Sequence, residues 1–249
     1  MAVIWQKKKN NVHYEVRSAG RTRRLYTNGV FHSQYHPQRA TAGGVWDLLM
    51  LPAFLRPEDA LHRVLVLGVG GGAVIHLLQR QFPAVQITGV DLDPVHLQVA
   101  TQHFGVSSAT VELHCAEAQQ WLQVYSGPPF DLIIEDLFGD QDGEPERAIA
   151  PSAGWINQLL RHLKRDGMLV MNFIGKPAFS SSGFFTSKQL NKRFKSVYDL
   201  RLPRYENIII ALSRTPVSAR TLRTRLKNNP ELCTAMWSGL LPYQIRKIK

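Results

Sequence analysis

The chain has 249 residues, of which 44% are apolar, and 30 Lys and Arg against 19 Asp and Glu give it a formal net charge of +11. A chain of this length can bury a core without disulfides or metals, which excludes the class of small proteins that depend on such cross-links for stability. No run approaches the roughly 20 apolar residues of a membrane span, and Lys7 to Lys9 follow the first apolar residues, opposite to a signal peptide. The two cysteines, Cys115 and Cys233, lie in no CxxC pair. We therefore expect a reduced, cytoplasmic protein that holds no metal and enters no membrane.

The charge is distributed unevenly along the chain. Residues 1–60 carry 9 basic and 4 acidic side chains, residues 61–150 carry 3 and 11, and residues 151–249 carry 18 and 4. Basic flanks attract anionic partners such as RNA or a ribosome, but a merely solvated surface explains them equally well. The sequence therefore leaves an RNA or ribosome partner open, and it leaves the oligomeric state open too, with a homodimer among the possibilities.

Residues 1–42 predict a small β-hairpin cap. Alternating segments at 12–17 and 24–26 precede Asn28-Gly29, a strong hairpin signal because both residues tolerate positive φ. A helix over 43–55 follows, because its apolar residues recur at helical spacing.

From Arg63 onward, strands and helices alternate. Strands are predicted at 64–67, 85–90, 110–114, 131–135 and 168–174, with helices at 73–81, 94–104, 118–125 and 155–164. This alternation predicts an α/β fold, a doubly wound, Rossmann-like parallel sheet. Two more strands, 196–202 and 207–212, form a terminal hairpin, which is the seven-stranded layout of methyltransferase-type sheets. The predicted domains are therefore the cap at 1–42, a catalytic domain at 43–213 and a basic helical extension at 214–249.

The first strand of this sheet ends in a glycine-rich turn, Gly68-Val69-Gly70-Gly71-Gly72-Ala73. Glycines let the backbone approach a ligand and present the amides at the start of a helix. The turn also satisfies the dinucleotide fingerprint G-x-G-x-x-G/A, so an NAD site competes with other nucleotide sites. The candidate ligand-binding positions in the turn are Gly68, Gly70, Gly71 and Gly72.

Acidic residues follow the next two strands. Asp91 ends the second strand, where a carboxylate can accept both ribose hydroxyls of an adenosine, and Leu92 comes directly after it. The expected role of Asp93 is to cap the helix that Pro94 begins. Glu117 follows the third strand and could accept from an adenine amino group next to Ala118, although an acid in the first turn of a helix is also favoured by the helix dipole.

The fourth strand delivers a carboxylate to the same edge of the sheet. Asp136 follows it directly, and ligands of parallel sheets bind at the carboxyl ends of the strands. The acidic loop at 139–150, which contains Asp140 and Asp142, is either a lid over the site or a solvated loop. Asp136 is the first candidate for the reaction centre, and Asp140 is the second.

At this point residues 12–212 resemble the spermidine synthase family, whose members have the fold of S-adenosylmethionine (SAM)-dependent methyltransferases. The resemblance implies that the glycine turn cradles the tail of an adenosyl ligand, that Asp91 holds its ribose and that Glu117 holds its adenine. It also matches Asp136 to the first Asp of the family's D-S-S-D motif, which takes a proton from the attacking amine.

The positions that bind the amine in that family differ here. Gly71 stands where the family has an Asp that contacts the cationic end of decarboxylated SAM. Val45-Trp46-Asp47 replaces the family's Tyr-His/Gln-Glu, and His32 replaces its hairpin Gln. Gly139 or Asp140 stands where the second Asp of D-S-S-D would be. Several carboxylates that a polyamine needs are therefore missing.

Three functions remain in competition. The first is methyl transfer from SAM to a small-molecule, protein or RNA acceptor; it is favoured because Gly71 removes an acid that would repel the SAM carboxylate by about 1 kcal/mol at 4 Å in water. The second is aminopropyl transfer from decarboxylated SAM to putrescine, which makes a polyamine. The third is a non-catalytic module that binds a nucleotide or RNA.

Trp46, Trp121, Trp155 and Phe138 are expected in the core, because large aromatic residues on amphipathic elements pack there more often than they line pockets.

Overall fold

The computed structural model describes residues 1–106, 109–141 and 144–249, with side chains at all of these positions except 58, 140 and 141. Its strands are β1 (Ala2–Lys9), β2 (Val12–Ala19), β3 (Thr22–Thr27), β4 (Val30–Tyr35), β5 (Arg63–Leu67), β6 (Gln86–Asp91), β7 (Val111–Cys115), β8 (Phe130–Glu135), β9 (Phe138–Gln141), β10 (Glu144–Arg147), β11 (Leu163–Ile174), β12 (Ser196–Arg201), β13 (Asn207–Ser213) and β14 (Gln244–Lys247). Its α-helices are α1 (Val45–Met50), α2 (Ala73–Gln81), α3 (Pro94–His103), α4 (Ala118–Val124), α5 (Ala153–Arg161), α6 (Lys176–Ser180), α7 (Gly183–Thr186), α8 (Lys188–Asn191), α9 (Ala219–Asn228) and α10 (Pro230–Trp237).

The N-terminal cap is an antiparallel sheet of β1 to β4 in chain order. The predicted turn is confirmed, since Asn28 and Gly29 join β3 to β4 with φ of 50° and 86°. The strand β1 was not predicted, because its exposed, lysine-rich sequence has no buried face. Val16 and Leu25 of the cap pack against Phe104, which fixes the cap to the end of α3.

The main sheet has the strand order β14-β12-β13-β11-β8-β5-β6-β7. The strands from β11 to β7 are parallel, and β13 and β12 follow antiparallel. The predicted doubly wound sheet with its terminal hairpin is therefore confirmed. The basic extension adds an eighth strand, because β14 pairs with β12.

Both faces of the main sheet are covered, because successive side chains of a strand point to opposite faces. On β5, Val64 and Val66 face the core under α1, α2 and α9, whereas Leu65 and Leu67 face the core under α4 and α5. The continuous apolar run at 64–67 thus reflects burial on both sides.

Three predicted segments differ from the structure: two helices have other bounds, and one loop contains strands. The helix over 43–55 becomes α1 followed by a 3-10 helix, Leu51–Leu55, with Pro52 in its first turn. The helix over 155–164 ends at Arg161, because Leu163 already pairs with Phe130 in the sheet. The loop at 139–150 contains the β9–β10 hairpin. No helix in the described part of the chain is long and apolar enough to cross a membrane.

Candidate functional site

A cavity of about 980 Å³ lies at the carboxyl ends of the parallel strands. This volume is at the upper end of the range for small-molecule sites, about 300–1,000 Å³. The sheet order places one set of lining residues after another along this edge, from β7 to β13. These residues are, in order, Glu117 and Ala118, Asp91 and Leu92, Gly68 and Gly70, Asp136, Asn172, and Asn207.

We divide the cavity into two parts. The glycine side comprises the ends of β7, β6 and β5, and the asparagine side comprises the ends of β8, β11 and β13. Neighbouring strands lie about 4.8 Å apart, so each side spans roughly 10 Å along the sheet edge. The cap lies over the cavity and contributes Tyr14, Thr27 and His32 to its lining.

Only part of the glycine turn reaches the cavity. Gly68 and Gly70 line it. A Cβ on Gly68 would lie 2.1 Å from the backbone oxygen of Asp136, and its φ of +85° also requires glycine, so this residue lets β5 and β8 meet closely.

Gly71 and Gly72 are not among the residues that line the cavity, and their contact with a ligand stays a prediction. A Cβ on Gly71 would lie 2.8 Å from Ser33 of the cap, and one on Gly72 would lie 2.4 Å from Val106. An acid at position 71 would meet the cap rather than the cavity. The electrostatic argument that Gly71 selects SAM therefore has no support in this geometry.

The amides of the turn are also engaged within the protein, and the expectation that they bind a ligand stays a prediction. The bonds are Gly68 N to Val90 O at 2.9 Å, Val69 N and Gly70 N to Asp91 Oδ2 at 2.9 and 2.8 Å, Gly71 N to Ser33 Oγ at 2.8 Å and Gly72 N to Val69 O at 2.8 Å. In this structure the turn therefore offers space to a ligand, while its amides donate to acceptors of the protein itself.

Asp91 organises this side of the cavity. Besides the two turn amides it accepts from Asp93 N at 2.8 Å through Oδ1, and it is 8% exposed. Burial would raise the pKa of this carboxyl, but His96 and the backbone donors outweigh burial and lower it. Asp91 is therefore an ionised carboxylate at neutral pH, and its role as a ribose ligand stays a prediction.

His96 is a cavity residue that the sequence analysis did not assign. It is buried on α3, its Nε2 lies 2.9 Å from Thr27 Oγ1 of the cap, and its Nδ1 lies 3.7 Å from Asp91. Burial alone would lower its pKa, but Asp91 and Asp93 outweigh burial and raise it. The sequence offered one signal for this role, namely that His96 follows Asp91 by five residues on the next helix. A single histidine on a helix is usually structural, so this signal was not used.

The next two acids both cap helices. Asp93 accepts from Val95 N at 2.8 Å, as predicted, and also from Tyr14 Oη at 2.7 Å. Glu117 accepts from the amides of Gln119 and Gln120 at 2.9 and 2.8 Å, so in this structure it caps the start of α4.

Leu92 and Ala118 form an apolar surface at this end of the cavity. Ala118 is buried, whereas Leu92 is 69% exposed. Both residues line the cavity, so this end of it is apolar.

Asp136 stands where the two sides meet. Asn172 Nδ2 donates to its Oδ1 at 2.7 Å, and Asn207 Nδ2 donates to Asn172 Oδ1 at 3.0 Å. Burial raises the pKa of Asp136 to about 6, even though the Asn172 hydrogen bond opposes the shift. A carboxyl group with this pKa is mostly ionised at pH 7 and can accept a proton.

A buried ion pair holds the β9–β10 hairpin over the cavity. Arg147 Nη2 of β10 lies 2.5 Å from Glu135 Oε1 of β8, and Trp155 Nε1 donates to the same oxygen at 3.2 Å. Arg147 also donates to the backbone oxygen of Asn172. The segment expected to be either a lid or a solvated loop is therefore a hairpin anchored next to Asp136, and its role as a lid stays a prediction. Its acids Asp140 and Asp142 cannot be placed, because the Asp140 side chain and all of Asp142 lie outside the described residues.

The asparagine side has aromatic walls. Phe31 and Trp46 pack edge to face with centroids 5.0 Å apart, and Tyr205 and Phe138 complete the walls. Trp46 is buried as predicted, yet it also lines the cavity, as does Phe138. Trp121 and Trp155 lie in the core, which confirms that prediction.

Asp47 stands where the sequence comparison would place an amine-binding acid, but it faces away from the cavity. Its carboxylate accepts from the amides of Ala42, Gly43 and Gly44 at 2.6, 2.8 and 3.2 Å, and it is not among the lining residues. Burial raises its pKa to about 6. This acid caps α1 and contributes no charge to the asparagine side.

Known proteins share this architecture. Residues 64–167 match the family model of the methyltransferase domain. A probable spermidine synthase from Corynebacterium glutamicum is 18% identical and superposes with a TM-score of 0.74, covering 99% of this chain and 91% of its own. Human methyltransferase-like protein 13, solved in complex with SAH, is 21% identical with a TM-score of 0.61, covering 78% of this chain and 91% of its own. This chain therefore has the fold that SAM-dependent methyltransferases and spermidine synthases share, with a methyltransferase domain over residues 64–167.

The curated relatives of this chain extend beyond the matched region. The polyamine aminopropyltransferase of Vibrio vulnificus is 26% identical over 193 residues, which is 74% of this chain and 58% of that protein. The chain spans less than two thirds of the length of each curated relative compared. In the described residues, no three His, Cys, Asp or Glu side chains are grouped to hold a metal ion.

Proposed function

We propose that the chain is a SAM-dependent transferase that binds an adenosyl donor on the glycine side and an acceptor on the asparagine side. The observation that carries this proposal is the continuous cavity that joins Gly68 and Asp91 to the carboxyl group of Asp136. The methyltransferase domain match and the likeness to an SAH-bound methyltransferase support SAM over NAD as the nucleotide.

The residues of the glycine side fit an adenosyl group. Leu92 and Ala118 would offer an apolar surface to the adenine, near Glu117, and Asp91, which lines the cavity beside them, would hold the ribose. Gly68 keeps the turn free of side chains beside Asp136, so the sulfur end of the donor can approach the reaction centre.

The donor supplies a carbon bound to a sulfonium. The lone pair of an acceptor nitrogen forms the new carbon–nitrogen bond while the carbon–sulfur bond breaks and its electrons stay on sulfur. Asp136 takes the proton that the nitrogen must lose and passes it to solvent. Holding both reactants in line next to Asp136 supplies much of the catalysis.

Methyl transfer fits the asparagine side better than aminopropyl transfer. A diamine such as putrescine carries two ammonium groups, and each loses its hydration unless a carboxylate or an equivalent acceptor replaces it. Asp136 is the one carboxylate among the described lining side chains on this side, since Asp47 caps α1. Likeness to polyamine aminopropyltransferase supports the alternative, with Asp140 as the acid it would require.

The proposal is tested by calorimetric titration of SAM and decarboxylated SAM into the purified protein in one buffer. We expect both to bind on the glycine side, and SAM to support methyl transfer. Turnover of putrescine with decarboxylated SAM would establish the aminopropyl alternative. Failure of both ligands and of SAH to bind would contradict the proposal and favour the non-catalytic module.

We also propose an anionic macromolecular partner for the basic extension. Arg220, Arg223 and Lys227 share the exposed face of α9, opposite the buried Leu222 and Leu226. Three cations on one helical face attract phosphates, and such binding weakens steeply with salt. RNA that is retained at low salt and lost after reversal of these three charges would support the proposal; retention unchanged by the reversal would contradict it. A cytoplasmic location and a homodimer stay predictions.

A further inference from the structure

We infer that the acceptor is a monoamine, that is, a molecule with one amino nitrogen on an uncharged apolar or aromatic body. This inference rests on the proposed function and deepens it. It comes from the charges and walls of the asparagine side.

The first argument is the number of charges. On the asparagine side, Asp136 is the one ionised side chain among the described lining residues, and its neighbours along the sheet edge are the amides Asn172 and Asn207. An ammonium group that leaves water needs a carboxylate or several hydrogen-bond acceptors in return. One carboxylate matches one ammonium group.

The second argument is the sign of the charge. Glu135 lies directly behind Asp136 and is fully buried, but Arg147 balances its charge, so the negative charge that faces the asparagine side is that of Asp136. Arg147 is paired with Glu135 and does not line the cavity. An acceptor with a carboxylate would therefore meet repulsion, which excludes acids from this class.

The third argument is the chemistry of the walls. Phe31, Trp46, Phe138 and Ile174 line the asparagine side, and Tyr205 is 39% exposed there. Walls of this kind bury an apolar or aromatic body and gain little from a second polar group. Aromatic faces also stabilise a single cation close to them.

The inference is tested with three matched probes of one chain length: hexylamine, hexane-1,6-diamine and hexanoate. Each is titrated at pH 7.5, where Asp136 is ionised, into protein saturated with SAH. SAH saturation is checked first by calorimetry, and if SAH does not bind, the proposed function itself fails. With SAH bound, we expect hexylamine to bind at least tenfold more tightly than hexane-1,6-diamine, and hexanoate not to bind. Equal or tighter binding of the diamine, binding of hexanoate, or no binding of hexylamine would overturn the inference while leaving the donor assignment intact.

A gain of charge sharpens the test. Tyr205→Glu adds a second carboxylate at an exposed wall position, and Tyr205→Gln is the uncharged control. If charge number sets the class, only Tyr205→Glu should raise the affinity for the diamine, by about fivefold or more, while SAH binding is unchanged in both variants. An equal response of the two variants would show that charge number does not select the acceptor.

Discussion

The two sides of the cavity are built on different principles. On the glycine side, the backbone amides of the turn, Asp91 and Glu117 are bonded to one another or to helix ends, so the protein itself holds the shape. On the asparagine side, Asp136 is held by the amide of Asn172, and the remaining surface is aromatic. Under the proposed function, the first side binds the donor and the second side binds the acceptor.

A probable spermidine synthase and a methyltransferase-like protein share this fold. Loops and side chains at the carboxyl ends of parallel strands can change without disturbing the sheet that carries them. Changes on the glycine side should therefore affect donor binding, and changes on the asparagine side should affect the acceptor and the reaction.

Replacing the acid of the glycine side should have the largest effect. Asp91→Ala leaves the amides of Val69, Gly70 and Asp93 without their acceptor. We expect SAH affinity to fall about 1,000-fold, which equals about 4 kcal/mol. Calorimetry measures the affinity, and thermal unfolding shows that the variant is folded; wild-type affinity in a folded variant would refute the assignment. Asp166→Ala, at an exposed acid outside the cavity, is the matched control.

Releasing the β9–β10 hairpin should have the second-largest effect. Arg147→Ala leaves Glu135 as an unpaired buried acid, and breaking such a pair costs about 3 kcal/mol or more. Urea denaturation should show this loss, and the double variant Arg147→Met, Glu135→Gln should recover most of it because no buried charge remains. If the single and double variants lose the same stability, the pair does not hold the hairpin.

Replacing Asp136, the proposed proton acceptor, should lower turnover without weakening donor binding. Asp136→Asn should keep SAH affinity within about twofold, yet lower methyl transfer about 100-fold, a typical loss for a general base. Asp131→Asn is the control on the same strand, because Asp131 is bonded to His62 and Arg63 at the opposite end of β8. Full turnover by Asp136→Asn would show that Asp136 is not the proton acceptor.

The pKa of Asp136 can be measured without an acceptor. Because its folded pKa is raised from 3.8 to about 6, the protonated form stabilises the fold, and this stability is lost as the pH rises through about 6. The loss is on the order of 2 kcal/mol between pH 4 and pH 7. Asp136→Asn should lack this part of the pH dependence in urea denaturation; parallel curves for variant and wild type would show an ordinary pKa.

The sequence predicted the fold because its signals are local and repeated. The apolar run at 64–67, the glycine turn and the Asn28-Gly29 turn each determine their own backbone. The eighth strand was not predictable, because β14 has little apolar character and gains its structure from pairing with β12.

The site was predictable only as far as strand ends determine position. Asp91, Leu92, Gly68 and Asp136 were selected because a parallel sheet brings its carboxyl ends together, and all of them line the cavity. Asn172 and Tyr205 were missed because amide and aromatic side chains carry no distinctive spacing. The packing of Gly71 against Ser33 was not predictable, because it depends on the position of the cap.

The division of the cavity is tested most directly by a crystal structure of the protein with SAH. The account predicts the adenine against Leu92 and Ala118, the ribose near Asp91 and the sulfur between Gly68 and Asp136, with the space between Trp46 and Asn207 left for the acceptor. SAH lying instead among the aromatic walls of the asparagine side would contradict the account.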